Sequence, residues 1–163
     1  MNTTATTLHD AVRTSRLAAE LDADQAAVLA GLMTLDTCAP GQVLSREGSV
    51  DNRLYVIVGG TLSVVKNLGT ADETLLVTLQ PGDFAHELGF LDGTERYASM
   101  VAATESKVLV FERSKLERLI ETDPLILYRV MCAIVHTAHR IQARQSMQAA
   151  ELTNYVFKTH GRY

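Results

Sequence analysis

With 163 residues, 47% of them hydrophobic, the chain has enough material for one globular unit with a single core and appended helices, and too little for two domains of ordinary size. A net charge of −4 without any run of Lys or Arg excludes an overall basic field for nucleic acid, so any phosphate binding must be local. Cys38 and Cys132 have no metal-ligand spacing, no apolar stretch follows Met1-Asn2-Thr3-Thr4, and Arg129 interrupts the richest apolar run at 125–135. A soluble protein of a reducing cytoplasm, without a membrane span, is the expectation.

Residues 1–7 have no hydrophobic period and read as a frayed lead, followed by a short helix over about 8–20. Asp22 with Gln25 three places on is a capping-box variant. It opens a helix through Ala26, Val28, Leu29, Leu32 and Met33 that should close near Asp36. From Pro40 the texture changes, because Gly41, Gly48, Gly59, Gly60, Gly69, Gly82, Gly89 and Gly93 punctuate short β-branched runs, as in a barrel or sandwich. Strands are predicted at about 42–46, 53–58, 61–66, 74–79, 98–103 and 107–111. Imperfect alternation at 61–65 and 75–79 predicts positions buried on both faces.

After Phe111 the period becomes helical. Ser114 and Glu117 form a capping-box pair for a short helix ending by Thr122, and Asp123-Pro124 supplies an N-cap and a first-position proline for a long helix to about residue 150. Leu127, Met131, Ile134, Ala138 and Ile141 make an a/d seam that continues through Gln145 and Gln148 to Leu152. The seam serves either to cover the barrel or to meet a second chain, and both hold if they use different faces. Residues 151–163 read as a short helical or irregular extension. The expected division is 1–36 for the lead and helices, 37–112 for the β unit and 113–163 for the C-terminal lid and dimerisation helices.

The segment from Glu87 to Tyr97, Glu-Leu-Gly-Phe-Leu-Asp-Gly-Thr-Glu-Arg-Tyr, puts a carboxylate at the start of a helix-like turn and a guanidinium nine positions later, past an Asp-Gly turn. It is preceded by Gln80-Pro81-Gly82-Asp83-Phe84 and followed by Ala98-Ser99-Met100-Val101-Ala102-Ala103. Earlier come Pro40-Gly41-Gln42-Val43-Leu44, Glu47-Gly48-Ser49 and the run from Leu54 to Leu62. In this order the features resemble the cyclic nucleotide-binding domain shared by catabolite activator-type (Crp/Fnr-like) regulators and the regulatory subunits of cyclic nucleotide-dependent kinases.

The resemblance implies a mainly β fold with flanking α, a cyclic nucleotide-binding β jelly roll (double-stranded β-helix) with N-terminal helices and a long C-terminal helix. It also implies a ligand, cyclic AMP or alternatively cyclic GMP, with no metal. Carried over by motif, Glu87 accepts from the ribose 2′-hydroxyl and Arg96 forks to the cyclic phosphate, with the backbone amides of Leu88, Gly89 and Tyr97 beside it. Arg140, Gln142, Arg144 and Gln145 on the long helix are the candidates for base contact. Two positions depart from the family pattern: His86 stands where it usually has glycine, and Tyr97 where it has a small residue. A side chain at 86 constrains the backbone if φ is positive there, and Tyr97 either blocks the cavity or stacks on a base.

Read alone, Glu87 is a favourable charge in a first helical turn, Arg96 an exposed turn residue paired with Glu95 or Asp92, and His86 an exposed neutral imidazole. Because the resemblance in transcription regulators includes a helix-turn-helix after the long helix, and only 150–163 remain here, it implies a stand-alone signal-transduction protein. Such a protein would act as a homodimer on an unidentified protein partner, without direct nucleic acid or membrane contact. The alternative is a degenerate jelly roll that binds no ligand and serves as a dimerisation or docking module. An enzyme is not expected: His9, His86, His136, His139 and His160 form no His-x-His pair with a following Glu, and no Ser or Cys has an evident base.

Overall fold

Asp22 opens the second α-helix by the predicted exchange: its carboxylate accepts the Gln25 N–H at 2.9 Å, and the Gln25 side chain accepts the Asp22 N–H at 3.2 Å. The computed structural model describes residues 3–160, with side chains described from Leu8 to Lys158. Residues 1, 2 and 161–163, parts of the predicted lead and tail, lie outside the described residues. Helix α1 occupies Thr3–Thr14 and a single 3-10 turn follows at Arg16–Ala18, in place of one helix over 8–20. The capped helix α2 spans Ala23–Ala30.

Here the sequence reading needs correction, because α2 stops at Ala30 instead of running through Met33. Gly31 is its C-cap, and Met33–Cys38 is strand β1. Glycine is a poor helix former, and the six residues of β1 gain a full antiparallel register with the last strand, Ser106–Glu112, from Met33 opposite Phe111 to Cys38 opposite Ser106. The remaining strands are β2 (Val43–Ser45), β3 (Arg53–Gly59), β4 (Leu62–Lys66), β5 (Thr74–Leu79), β6 (Phe84–Ala85), β7 (Ser99–Ala102) and β8 (Ser106–Glu112). They form two four-stranded antiparallel sheets, ordered β1-β8-β3-β6 and β2-β7-β4-β5. This is the jelly roll with flanking helices.

The run Leu54-Tyr55-Val56-Ile57 lacks polar alternation because its sheet is covered on both faces. Leu54 and Val56 join Leu109 and Phe111 in a core shared with Leu17, Leu29, Phe84, Phe90 and the C-terminal helices. Tyr55 and Ile57 point the other way, into a cluster between the sheets with Leu62, Val64, Leu79, Met100 and Val108. Each such fully buried side chain contributes about 1.5–3 kcal/mol of transfer free energy. Strand β5 lacks the predicted two-sided burial: as an edge strand it exposes Thr74, Leu75, Leu76 and Thr78, and only Leu79 is fully buried.

Helix α4 (Arg113–Thr122) starts two residues earlier than the Ser114 box requires. Its N-cap is Glu112, without a side-chain cap bond, and Glu117 accepts from Arg113 Nε at 3.0 Å instead of returning to Ser114. Helix α5 runs Pro124–His160, 37 residues or about 55 Å at ~1.5 Å per residue, past the predicted end near 150. Its seam divides. Ile134 is buried in the helix-side core, Leu127 and Met131 pack against that core, and Ile141 packs against the cluster between the sheets. From Gln145 to Lys158 every side chain is exposed.

Candidate functional site

The segment between β6 and β7 is built on a locked turn. Gly82 N–H donates to Ile57 O at 2.8 Å, Ile57 N–H donates to Asp83 O at 3.0 Å, and the Asp83 carboxylate accepts the Gln80 N–H at 2.9 Å. Two residues of β6 pair with Tyr55 and Val56, and the chain then reaches His86 with φ +70°, a left-handed conformation uncommon for a residue with a side chain. Helix α3 (Glu87–Asp92) follows, as expected for a helix opening at Glu87. Asp92 then accepts from the Thr94 N–H and hydroxyl at 2.9 and 2.8 Å, which turns the chain toward Arg96.

Arg96 is 4% exposed, so the reading of it as an exposed turn residue is overturned. Its main chain is pinned to the β2–β3 connection, the N–H donating to Ser49 O at 2.8 Å and the carbonyl accepting from Gly48 N–H at 2.7 Å. Nη1 donates to His86 O at 3.1 Å, and Nη2 donates to Arg53 O at 3.2 Å and to Asp51 O. Nε is buried without a hydrogen-bond partner. Burial pulls this guanidinium below its ordinary pKa, against the opposing charge of Asp51, the neighbouring Tyr55 phenol and Glu87.

Glu87 lies half-buried beside it, and burial pushes its carboxyl above the usual range, opposed by its own backbone amide and by Arg96. Gly89 is buried against Arg96, and Leu88 is exposed. As residues of the first turn of α3, Leu88 and Gly89 have no intrahelical partner for their N–H groups. The Tyr97 ring is 69% exposed and does not plug the space between the sheets; its phenol is pushed up by desolvation and by the Glu87 carboxylate.

His86 corrects an expectation, since it is half-buried rather than exposed. Its Nε2 lies 2.9 Å from the hydroxyl of buried Ser45, and its ring meets the Tyr55 ring edge-on at 5.9 Å between centroids. Burial, then the Arg96 charge, holds the imidazole down to about 4, so it is neutral at pH 7. Of the base-contact candidates, Arg140, Gln142 and Gln145 are exposed and hydrogen-bond to no cassette residue, whereas Arg144 is half-buried and paired with Asp83.

Sequence reasoning missed Asp51, Tyr55 and Ser45. Asp51 is buried and accepts from Arg53 Nε at 2.8 Å, Arg53 Nη2 at 3.1 Å and the Tyr55 hydroxyl at 2.9 Å. Burial pushes its carboxyl up, and the hydrogen bonds from Arg53 and Tyr55 outweigh that and hold it low. The available signal was the spacing, because residues 51, 53 and 55 share one face of an extended chain. Beside them a cleft of about 370 Å³ is lined by residues that include Ser45, Ser49, Asp51 and Arg53. Among the described residues no three His, Cys, Asp or Glu are grouped to hold a metal ion, and no helix is long and apolar enough to cross a membrane.

A jelly roll carrying a short helix and an inward-facing arginine between two of its strands defines a class of small ligand-binding domains. The comparisons narrow it: the model of the cyclic nucleotide-binding domain family matches residues 35–123, and the chain belongs to that family. The cAMP-dependent protein kinase regulatory subunit of Schizosaccharomyces pombe is 34% identical over 80 residues, which are 49% of this chain and 18% of that protein. The cAMP-activated global transcriptional regulator CRP of Escherichia coli is 35% identical over 100 residues, 61% of this chain and 46% of that protein. The chain thus spans less than half the length of these relatives. Among solved structures, a cyclic nucleotide-binding domain from Methylobacillus flagellatus superposes with a TM-score of 0.76 at 19% identity, covering 88% of this chain and 81% of its own. The N-terminal domain of a transcriptional regulator from Streptomyces coelicolor gives 0.67 at 28% identity, covering 81% and 94%.

Proposed function

We propose that the protein senses a cyclic nucleotide, with cyclic AMP the first choice and cyclic GMP the second, and that it signals through α5 to a protein surface. The observation that carries this reading is Arg96: a guanidinium almost wholly buried, with an unpartnered Nε, beside the half-buried carboxylate of Glu87. Buried polar atoms are nearly always satisfied, so an orphan at a family's phosphate position calls for an acceptor. An oxygen of a cyclic phosphate would accept from the free Nε–H, and Glu87 would accept from the ribose hydroxyl. The relatives named for cAMP make that nucleotide the first ligand to try.

The output rests on α5, whose exposed part carries Met147, Leu152 and Phe157 in water. Large apolar side chains exposed along one helix suit a second copy of the chain or a protein partner. A ligand shifts such a surface only by its differential affinity for the two positions of the helix.

Thermal melts with cyclic AMP, cyclic GMP and the corresponding non-cyclic monophosphates test the reading. A specific ligand at about a hundred times its Kd stabilises the fold by about 2.7 kcal/mol. A cyclic nucleotide is expected to raise Tm where the non-cyclic forms do not; no shift with any of them supports the ligand-free docking module instead.

A further inference from the structure

Arg144 is the last half-buried side chain of α5 before a stretch that is exposed along its described length. Ile141, one turn earlier, still packs on the cluster between the sheets, and every side chain from Gln145 to Lys158 is exposed. Arg144 Nη1 and Nη2 donate to the two carboxylate oxygens of Asp83 at 3.3 and 2.7 Å. The Asp83 side chain is 5% exposed. It cannot follow the helix, because its carboxylate also accepts from Gln80 and its carbonyl from Ile57.

From this anchor only β6 intervenes before His86 and Glu87. The same turn therefore carries the cassette on one side and the end of the long helix on the other. A forked guanidinium–carboxylate contact fixes direction as well as distance, which a single apolar contact does not. Beyond it the helix projects about 20 Å further at ~1.5 Å per residue, so a small rotation at residue 144 becomes a large displacement at its end.

We propose that the Asp83–Arg144 ion pair is the mechanical coupling between the cassette and the projecting half of α5, with Arg144 a positioning residue. The proposal rests on the ligand reading only for the source of the displacement.

Hydrogen exchange of the full chain tests it, comparing wild type with Asp83→Asn, Arg144→Gln and Arg144→Lys, each with and without cyclic AMP. Asp83→Asn keeps a carbonyl oxygen for the Gln80 N–H and removes the charge. Without nucleotide, amides around 141–146 should exchange about fivefold faster in Asp83→Asn and Arg144→Gln, the worth of one partly exposed ion pair, with Arg144→Lys between. Strands β3 and β8 should be unchanged. With cyclic AMP, protection along α5 should change in wild type and stay constant in Asp83→Asn, although calorimetry still records binding to that variant. Exchange in both variants indistinguishable from wild type, or an undiminished α5 response in Asp83→Asn, overturns the coupling. Should wild type give no binding heat while the variants still exchange faster, the ligand reading fails and the clamp stands.

Discussion

A Cβ built on Gly89 falls 2.3 Å from Nη1 of Arg96 and 3.1 Å from the Thr94 carbonyl oxygen. The guanidinium therefore lies close against the backbone of α3, at a separation that only glycine permits. Three main-chain carbonyls hold it there, from His86, Asp51 and Arg53. The short helix and the β2–β3 connection are thus tied together through one side chain.

Gly89→Ala should accordingly destabilise the fold even though alanine is the better helix former. The intrinsic gain is about 1 kcal/mol, and overpacking against a fixed neighbour costs about 1–3 kcal/mol. Urea denaturation should show a net loss together with weakened nucleotide binding; a more stable variant with intact binding would mean that Arg96 moves aside freely.

Arg96→Ala removes the donor from three carbonyls at once. Leaving buried acceptors unpaired costs about 1–3 kcal/mol each before relaxation and entry of water, so a loss on the order of 3 kcal/mol is expected. Arg96→Lys should lose less, since an ammonium keeps the charge and reaches part of the same set. Equal denaturation midpoints for wild type and Arg96→Ala would contradict the bonding described.

His86 gives the fold a pH signature. Its imidazole titrates near 4 in the folded chain against an ordinary 6.5, so between these values the unfolded chain binds the proton that the folded chain refuses. Stability is full above about 6.5 and falls as the pH drops toward 4, by on the order of 2–3 kcal/mol. Glu87 works in the opposite sense, because a raised carboxyl takes its proton early in the folded state and relieves a penalty as the pH falls. His86→Asn, which tolerates a positive φ, should flatten the acid loss, and Glu87→Gln should steepen it. Parallel stability curves for wild type and His86→Asn across pH 7 to 4.5 would refute this assignment.

Most of the β scaffold was legible because glycine-marked turns bound its strands: 74–79 was read with its observed ends, and 53–58 and 107–111 within a residue or so of β3 and β8. Strand β1 was lost because Leu29, Leu32 and Met33 sit at helical spacing, and the stop signal was a single residue, Gly31. Strand β6, two residues long, is too short to leave a period. The cassette helix was legible from Glu87 and its Asp-Gly end. That Arg96 would be held by the carbonyls of Asp51 and Arg53 was not, since main-chain partners distant in sequence leave no side-chain signature. Nor does a helix seam reveal where burial ends; Arg144 is held by Asp83, 61 positions away.

We propose that Arg96 receives the phosphate of a cyclic nucleotide. Titration calorimetry with cyclic AMP and cyclic GMP, on wild type and on Arg96→Lys after both are shown to be folded, tests it most directly. One site with a Kd in the micromolar range is expected in wild type, and at least about tenfold weaker binding in Arg96→Lys, the loss of roughly one charge-assisted hydrogen bond. No heat from either nucleotide, or the same affinity in both proteins, would contradict it.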